Sequence, residues 1–246
     1  MRKTITALAA LLLGSTAALA DMTDAERQEL RDEVRAYLLE DPEILMEAFA
    51  VLEDRRNSEA AAEDIELMAA NADEIFNDPA SWSGGNPDGD ITVVEFIDYR
   101  CGYCRRAYED VEELIGSDGN IRFVVKEFPI LGEQSEISSR FAISVLQLEG
   151  AEAYKKAHNL LIEAKADLTP DALTAMGADL GLADTEAVIA RMQSPEVSAI
   201  IDANHALGQR LQINGTPTFV IDQTMVRGYV PLDGMRQIVE QQRKEG

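Results

Sequence analysis

Residues 93–111 read VVEFIDYRCGYCRRAYEDV. They hold Cys101 and Cys104, the two cysteines of a 246-residue chain, at the seam between an apolar run and a charged helical pattern. Upstream, ITVVEFIDY (91–99) is nearly continuous in β-branched and aromatic residues, which predicts a strand buried on both faces. Downstream, a helix is predicted from about Cys101 to Ile115, followed by a second strand in IRFVVKEF (121–128). A strand, a helix and a strand in so short a span make a βαβ unit with parallel strands.

A Cys-x-x-Cys pair directly after a buried strand and opening a helix reads as a redox pair. Residues three apart in a first helical turn face the same way, so two sulfurs can bond or separate with little backbone movement. The first sulfur sits at the helix N-terminus, where free N–H groups and the dipole favour a thiolate, the form that attacks a disulfide. Cys101 is therefore expected to be the exposed nucleophile and Cys104 the protected resolving thiol. Arg100, Arg105 and Arg106 surround the pair in an otherwise acidic chain, and nearby cations lower a thiol pKa. The competing reading of these arginines is a solvated helix face. A structural zinc site needs four ligands, and His158 and His205 lie far away in helical patterns. An inert disulfide closing so small a loop would stabilise little.

Working outward, the chain begins with basic Arg2 and Lys3, an apolar stretch Ile5 to Leu13, and the small-x-small pattern Ala18-Leu19-Ala20. This is the pattern of a cleaved signal peptide over residues 1–20, which implies export to the periplasm. The formal net charge of −23 excludes nucleic acid and anionic lipid as partners. Export also suits cysteine chemistry, because disulfides persist outside the cytosol.

From Thr23 to Asp78 the pattern is helical, with Asp41-Pro42 as a cap and first-turn signal and with Leu30, Val34, Tyr37, Ile44, Leu45, Phe49 and Leu52 at helical spacing. The stretch NDPASWSGGNPDGD (77–90) reads as a linker plus a possible edge strand. Residues from about 133 to 212 read as helical throughout. TPTFVID and TMVRGYV then predict two short strands, and the chain closes on a helix.

EFIDYRCGYC, followed much later by NGTPTF, resembles the thioredoxin superfamily and, within it, the exported DsbA-like branch. Glu95 stands six positions before Cys101, where this superfamily places a buried acidic residue. Thr216-Pro217 resembles its cis-proline motif, and the helical block at 133–212 resembles the insertion of the DsbA-like branch. The resemblance covers about Ser81 to Gly246. It implies catalytic Cys101, Cys104 and Glu95, with Thr216 and Pro217 facing the sulfurs and able to pair with an extended substrate. An ionised carboxylate in an apolar strand is costly unless paired, so Glu95 is expected to shuttle a proton for Cys104, to pair with a neighbouring-strand lysine such as Lys126, or both.

The dipeptide Gly102-Tyr103 resembles that of the isomerase DsbC and supplies no imidazolium, and Thr216 also resembles the isomerases. LRDEVRAYLLEDPEILMEAFAVLEDRR resembles the N-terminal segment of ScsC-like proteins, whose members can form trimers with isomerase activity. The departure is Cys-Gly-Tyr-Cys where a proline is commoner in that group. The expectation is an α/β thioredoxin-like fold, a mixed sheet with a helical insertion, over residues 78–246, preceded by an all-helical oligomerisation region at 21–77. Its expected function is disulfide isomerisation or reduction of misfolded exported proteins as a homo-oligomer, favouring a trimer, with a DsbD-like or ScsB-like membrane thiol reductant as partner. No cofactor or metal is implied. Two alternatives stand: a monomeric DsbA-like oxidase, and a periplasmic Cu(I)-binding protein, since two thiolates can hold that soft ion.

Overall fold

The computed structural model describes residues 22–245, so the expected signal peptide at 1–20 lies outside the described residues. The chain divides into two compact units between Arg56 and Asn57. Among the described residues no helix is long and apolar enough to cross a membrane.

In the first unit, helix α1 (Asp24–Glu40) opens on a capping box. The Thr23 hydroxyl accepts the Glu26 N–H at 3.3 Å, and the Glu26 carboxylate accepts the Thr23 N–H at 2.7 Å. Helix α2 (Glu43–Ala70) starts just after the Asp41-Pro42 signature and runs unbroken through the polar stretch 54–58. None of the residues of α1 is buried. Leu30, Val34, Tyr37, Leu39, Leu45, Met46, Phe49, Val51 and Leu52 are all exposed.

The second unit begins with the rest of α2 and a short helix α3 (Ala72–Phe76). There follow β1 (Trp82–Gly85), β2 (Ile91–Ile97), α4 (Gly102–Asp118) and β3 (Ile121–Glu127). The insertion comprises α5 (Glu133–Glu149), α6 (Ala151–Glu163), α7 (Pro170–Leu180), α8 (Thr185–Arg191) and α9 (Pro195–Arg210). Strands β4 (Thr218–Ile221) and β5 (Thr224–Arg227) and helix α10 (Leu232–Glu245) close the chain. Side-chain caps at Thr169, Asp184 and Ser194 punctuate the insertion, with Pro170 and Pro195 opening α7 and α9.

The five strands form one mixed sheet in the order β1-β3-β2-β4-β5. Strands β2 and β3 are parallel, and the other pairings are antiparallel. The period of two divides the strand residues between two cores. Val93, Ile97, Phe123, Val125 and Phe219 pack with α4 and the insertion, while Val94, Phe96, Val124 and Val220 pack on the opposite face. That second face is covered by Met68 of α2, Ile75 of α3, and Leu207, Leu211 and Ile213.

Residues 77–90, read as a linker plus a possible edge strand, do hold the edge strand β1, which ties them to the sheet. Trp82 is buried and opposite Val125 in the β1–β3 register, its Nε1 donates to the Ala151 carbonyl at 3.0 Å, and its ring stacks on Tyr154 at 5.4 Å. Gly85, at a φ of 68°, then turns the chain into a tight loop closed by the Asn86 N–H on the Ile121 carbonyl at 2.8 Å. Residues 57–76 belong to the second unit, and Met68 and Ile75 lie in its core.

Candidate active site

Central strand β2 delivers Glu95, and the turn Asp98–Arg100 carries the chain from the sheet to Cys101, the N-cap of α4. Cys101, expected to be exposed, is instead only 7% exposed because the Thr216 loop packs over it, and Cys104 behind it is fully buried; both are free thiols. Tyr103 between them is 62% exposed, and a side chain at Gly102 would meet open space. The opposite wall is the loop before β4, where the Thr216-Pro217 bond is cis. Cys101 Sγ donates to the Thr216 carbonyl at 3.1 Å. The Thr216 hydroxyl is buried beside it without a partner, placed to donate once the sulfur is ionised.

The two thiols are driven apart in acidity. Cys101 is pulled down to about 5, first by a hydrogen bond from Cys104 and then, against burial, by hydrogen bonds from Thr216 and from the Cys104 and Tyr103 N–H groups. Burial pushes the Cys104 thiol far up, reinforced by its bond to Cys101 and by the Glu95 charge. Glu95 itself is raised to about 8 by burial first, then by the charges of Glu112, Cys101 and Glu127 against that of Lys155.

Two expectations about partners are corrected. Lys126 does not reach Glu95: it lies opposite Phe96 in the parallel register, so its side chain points to the other face of the sheet, where it pairs with Asp78 at 2.7 Å. The three arginines are also committed elsewhere. Arg100 donates to the Ala166 carbonyl at 3.0 Å and pairs with Asp167 at 3.2 Å. Arg105 donates to the Tyr99 and Ala164 carbonyls, and the Arg106 guanidinium lies 4.8 Å from the Tyr229 ring centroid. Hydrogen bonds at the helix start lead in acidifying Cys101, and the Arg105 charge, coupled to that of the thiolate, adds to them.

Two groups under the site escaped the sequence reading. Asp98, fully buried, accepts the Arg100 N–H on one oxygen at 2.8 Å and the Ile130 and Leu131 N–H groups on the other at 2.8 and 3.0 Å. Its carbonyl accepts the Cys101 N–H at 3.0 Å, so one residue fixes the cysteine turn and the loop after β3 together. Deeper, Tyr99 and Tyr154 both donate to the Glu127 carboxylate, at 2.7 and 2.6 Å. His158 Nδ1 meets the Tyr99 hydroxyl at 3.1 Å, and burial holds that imidazole down near 3, hence neutral. His205 bonds the Pro129 carbonyl at 3.0 Å. Both histidines are thus packing residues on other duties than metal ligation.

A parallel βαβ core, an acidified thiol at a helix start, a buried second thiol behind it and a cis-proline wall define a thioredoxin-like thiol–disulfide oxidoreductase. Residues 77–241 match the thioredoxin family, and the chain belongs to it. Residues 26–59 match the N-terminal domain of the copper resistance protein ScsC. Among solved structures, a thioredoxin-like oxidoreductase from Silicibacter pomeroyi DSS-3 is 41% identical with a TM-score of 0.64, over 70% of this chain and 97% of that one. A linker-deletion variant of ScsC from Proteus mirabilis is 27% identical with a TM-score of 0.69, over 93% of this chain and all of that one, 100%. The disulfide bond formation protein D of Bacillus subtilis is 22% identical over 65% of this chain and 76% of its own. The oxidoreductase is thus of the ScsC and DsbA type.

Proposed function

We propose that this protein is an oligomeric periplasmic disulfide isomerase or reductase that works through Cys101. The Cys101 thiolate attacks a sulfur of a substrate disulfide, forms a mixed disulfide and releases the other substrate sulfur as a thiolate. In isomerisation that freed thiolate attacks a further disulfide, and a later substrate thiolate displaces Cys101, so no net electrons pass. In reduction, Cys104 gives its proton to Glu95 and attacks Cys101 Sγ, releasing the second substrate thiol and leaving the Cys101–Cys104 disulfide. A thiol donor must then reduce that pair. Glu95 suits the proton step, because its pKa is raised in part by the Cys101 charge. When the mixed disulfide consumes that charge, Glu95 ionises more readily just as Cys104 needs a base.

The observation that carries isomerase over oxidase is the first unit. Its helices leave a run of large apolar side chains from Leu30 to Leu52 uncovered, a surface that association of copies would bury. Several active sites on one assembly raise the effective concentration of thiolate at a tangled client. The match of residues 26–59 to the ScsC N-terminal domain supports this reading. A solved periplasmic thioredoxin-like protein from Salmonella enterica supports the compartment. The test is the solution mass of the mature protein beside its refolding of a substrate with scrambled disulfides. A monomer at micromolar concentration that oxidises dithiols but does not unscramble would overturn the proposal in favour of an oxidase.

A further inference from the structure

Residues 57–76 precede the segment that matches the thioredoxin family, yet they hold the wall opposite Cys101. Asp64, buried on α2, takes a two-pronged grip from Arg227: Nη1 to Oδ2 at 2.5 Å and Nη2 to Oδ1 at 2.7 Å. Arg227 ends the edge strand β5, opposite Thr218. The next residue, Gly228, donates its N–H to the Pro217 carbonyl at 2.9 Å. The chain entering that wall is held from the same side. Gln212 Nε2 donates to Glu63 at 2.7 Å, and Arg210 donates to Asn71 at 2.7 Å and to Glu74.

Gln212 has a φ of 55°, in the left-handed region where a side chain is disfavoured. Such backbone persists where surrounding contacts over-determine it, and the Glu63 bond is one of them. Met68 and Ile75 press on Leu207, Leu211 and Ile213 of the same segment. Both ends of the Thr216 loop, the 210–213 approach and the 227–228 exit, are therefore tied to α2 and α3, which precede the segment that matches the thioredoxin family.

We propose that α2 from Glu63 onward, with α3, is a brace that positions Thr216 against Cys101, and that Asp64, Arg227 and Glu63 are positioning residues for the thiol chemistry. The inference rests on Cys101 being the reactive thiol. A loosened brace lets the Thr216 hydroxyl drift from the sulfur, which removes a donor that favours the thiolate. A pair whose reduced form loses thiolate stabilisation shifts toward its disulfide.

The experiment compares full-length mature protein with its Asp64→Ala and Glu63→Ala variants. Three quantities are read: the equilibrium with reduced and oxidised glutathione, the pH at which Cys101 half-ionises by thiolate absorbance, and thermal unfolding. In folded Asp64→Ala protein, the glutathione equilibrium should move toward the disulfide by at least about three-fold, with a matching rise in the half-ionisation pH. Glu63→Ala should move both in the same direction by less, and it decides the matter should Asp64→Ala fail to fold. Lower thermal stability with unchanged glutathione equilibrium and unchanged Cys101 ionisation would show an ordinary structural staple and overturn the brace. If the parent protein shows no acidic thiolate at Cys101, the proposed function fails first and separately.

Discussion

Replacing Glu95 by Gln isolates the energetic cost of keeping an acid inside the sheet. Glu95 is fully buried and its pKa stands at about 8 rather than 4.5. A folded-state pKa raised in this way gives stability that is complete below the unfolded value and is lost as pH rises. Between 4.5 and 8 the unfolded chain ionises this group while the folded chain keeps it protonated; above 8 both ionise and the loss stops growing. The loss comes to about 3 kcal/mol at pH 7 and about 5 kcal/mol above pH 8.5, at 1.36 kcal/mol per unit. Glutamine mimics the protonated acid and does not titrate, so Glu95→Gln should equal the parent near pH 4.5 and exceed it progressively up to pH 8.5. Cys101 slopes the other way, since its depressed pKa adds stability to the reduced protein as pH rises from about 5 toward its ordinary value. That contribution is common to both proteins apart from the coupling between the Cys101 and Glu95 charges, so the difference chiefly follows Glu95. Urea unfolding of reduced protein at pH 4.5, 7 and 8.5 measures it. A difference between the two proteins that is flat across this range would refute the buried neutral acid. The same variant should also slow release of mixed disulfides by Cys104 while leaving the first attack by Cys101 intact.

At pH 6 an alkylating reagent should modify Cys101 well before Cys104, and Cys104→Ala should trap mixed disulfides through Cys101; alkylation of Cys104 first would reverse the assigned roles. Thr216→Val removes the unpartnered hydroxyl and should shift the glutathione equilibrium with little change in thermal stability, because no hydrogen bond is broken in the thiol form. Removing residues 22–56 should leave a folded monomer that reduces disulfides but unscrambles them poorly, whereas a cut after residue 76 also strips Met68 and Ile75 from the core. Light scattering and melting curves separate these two outcomes. Asp98→Ala leaves the Ile130 and Leu131 N–H groups without their acceptor and should cost about 2–4 kcal/mol in chemical unfolding.

The sequence made legible whatever depends on pattern and spacing. The apolar run into Cys-x-x-Cys places β2 and α4, and the structure sets the carbonyl of Thr216, before a cis Pro217, 3.1 Å from Cys101 Sγ. Sidedness was harder. Lys126 and Glu95 sit on neighbouring strands, but the parallel register pairs Lys126 with Phe96, and no motif announces that offset. Arg100 and Arg105 stand beside the cysteines in sequence, yet carbonyls of the 164–166 turn claim them, a contact spanning some sixty positions. Asp98 was hidden for the same reason, since its partners at 130 and 131 come from beyond the next strand. The Gly- and Asp-rich 83–90 stretch has the composition of a hinge, yet its first residues pair as edge strand β1, anchored by the buried Trp82.

Both borders of the sheet are short: β1 and β5 each span four residues. Under the proposed function the clients are partly unfolded chains, and each encounter would present extended segments seeking a strand to join. Long flat borders would recruit them into mixed sheets, and four-residue borders give such an annealing reaction little purchase. One border ends at Gly84 and Gly85, which lack side chains to stack, and the other ends at Arg227, already engaged by Asp64. Among the described residues neither sheet border offers a long template, which under the proposed function would leave the cis-proline loop at the cysteines as the place for an extended client to pair.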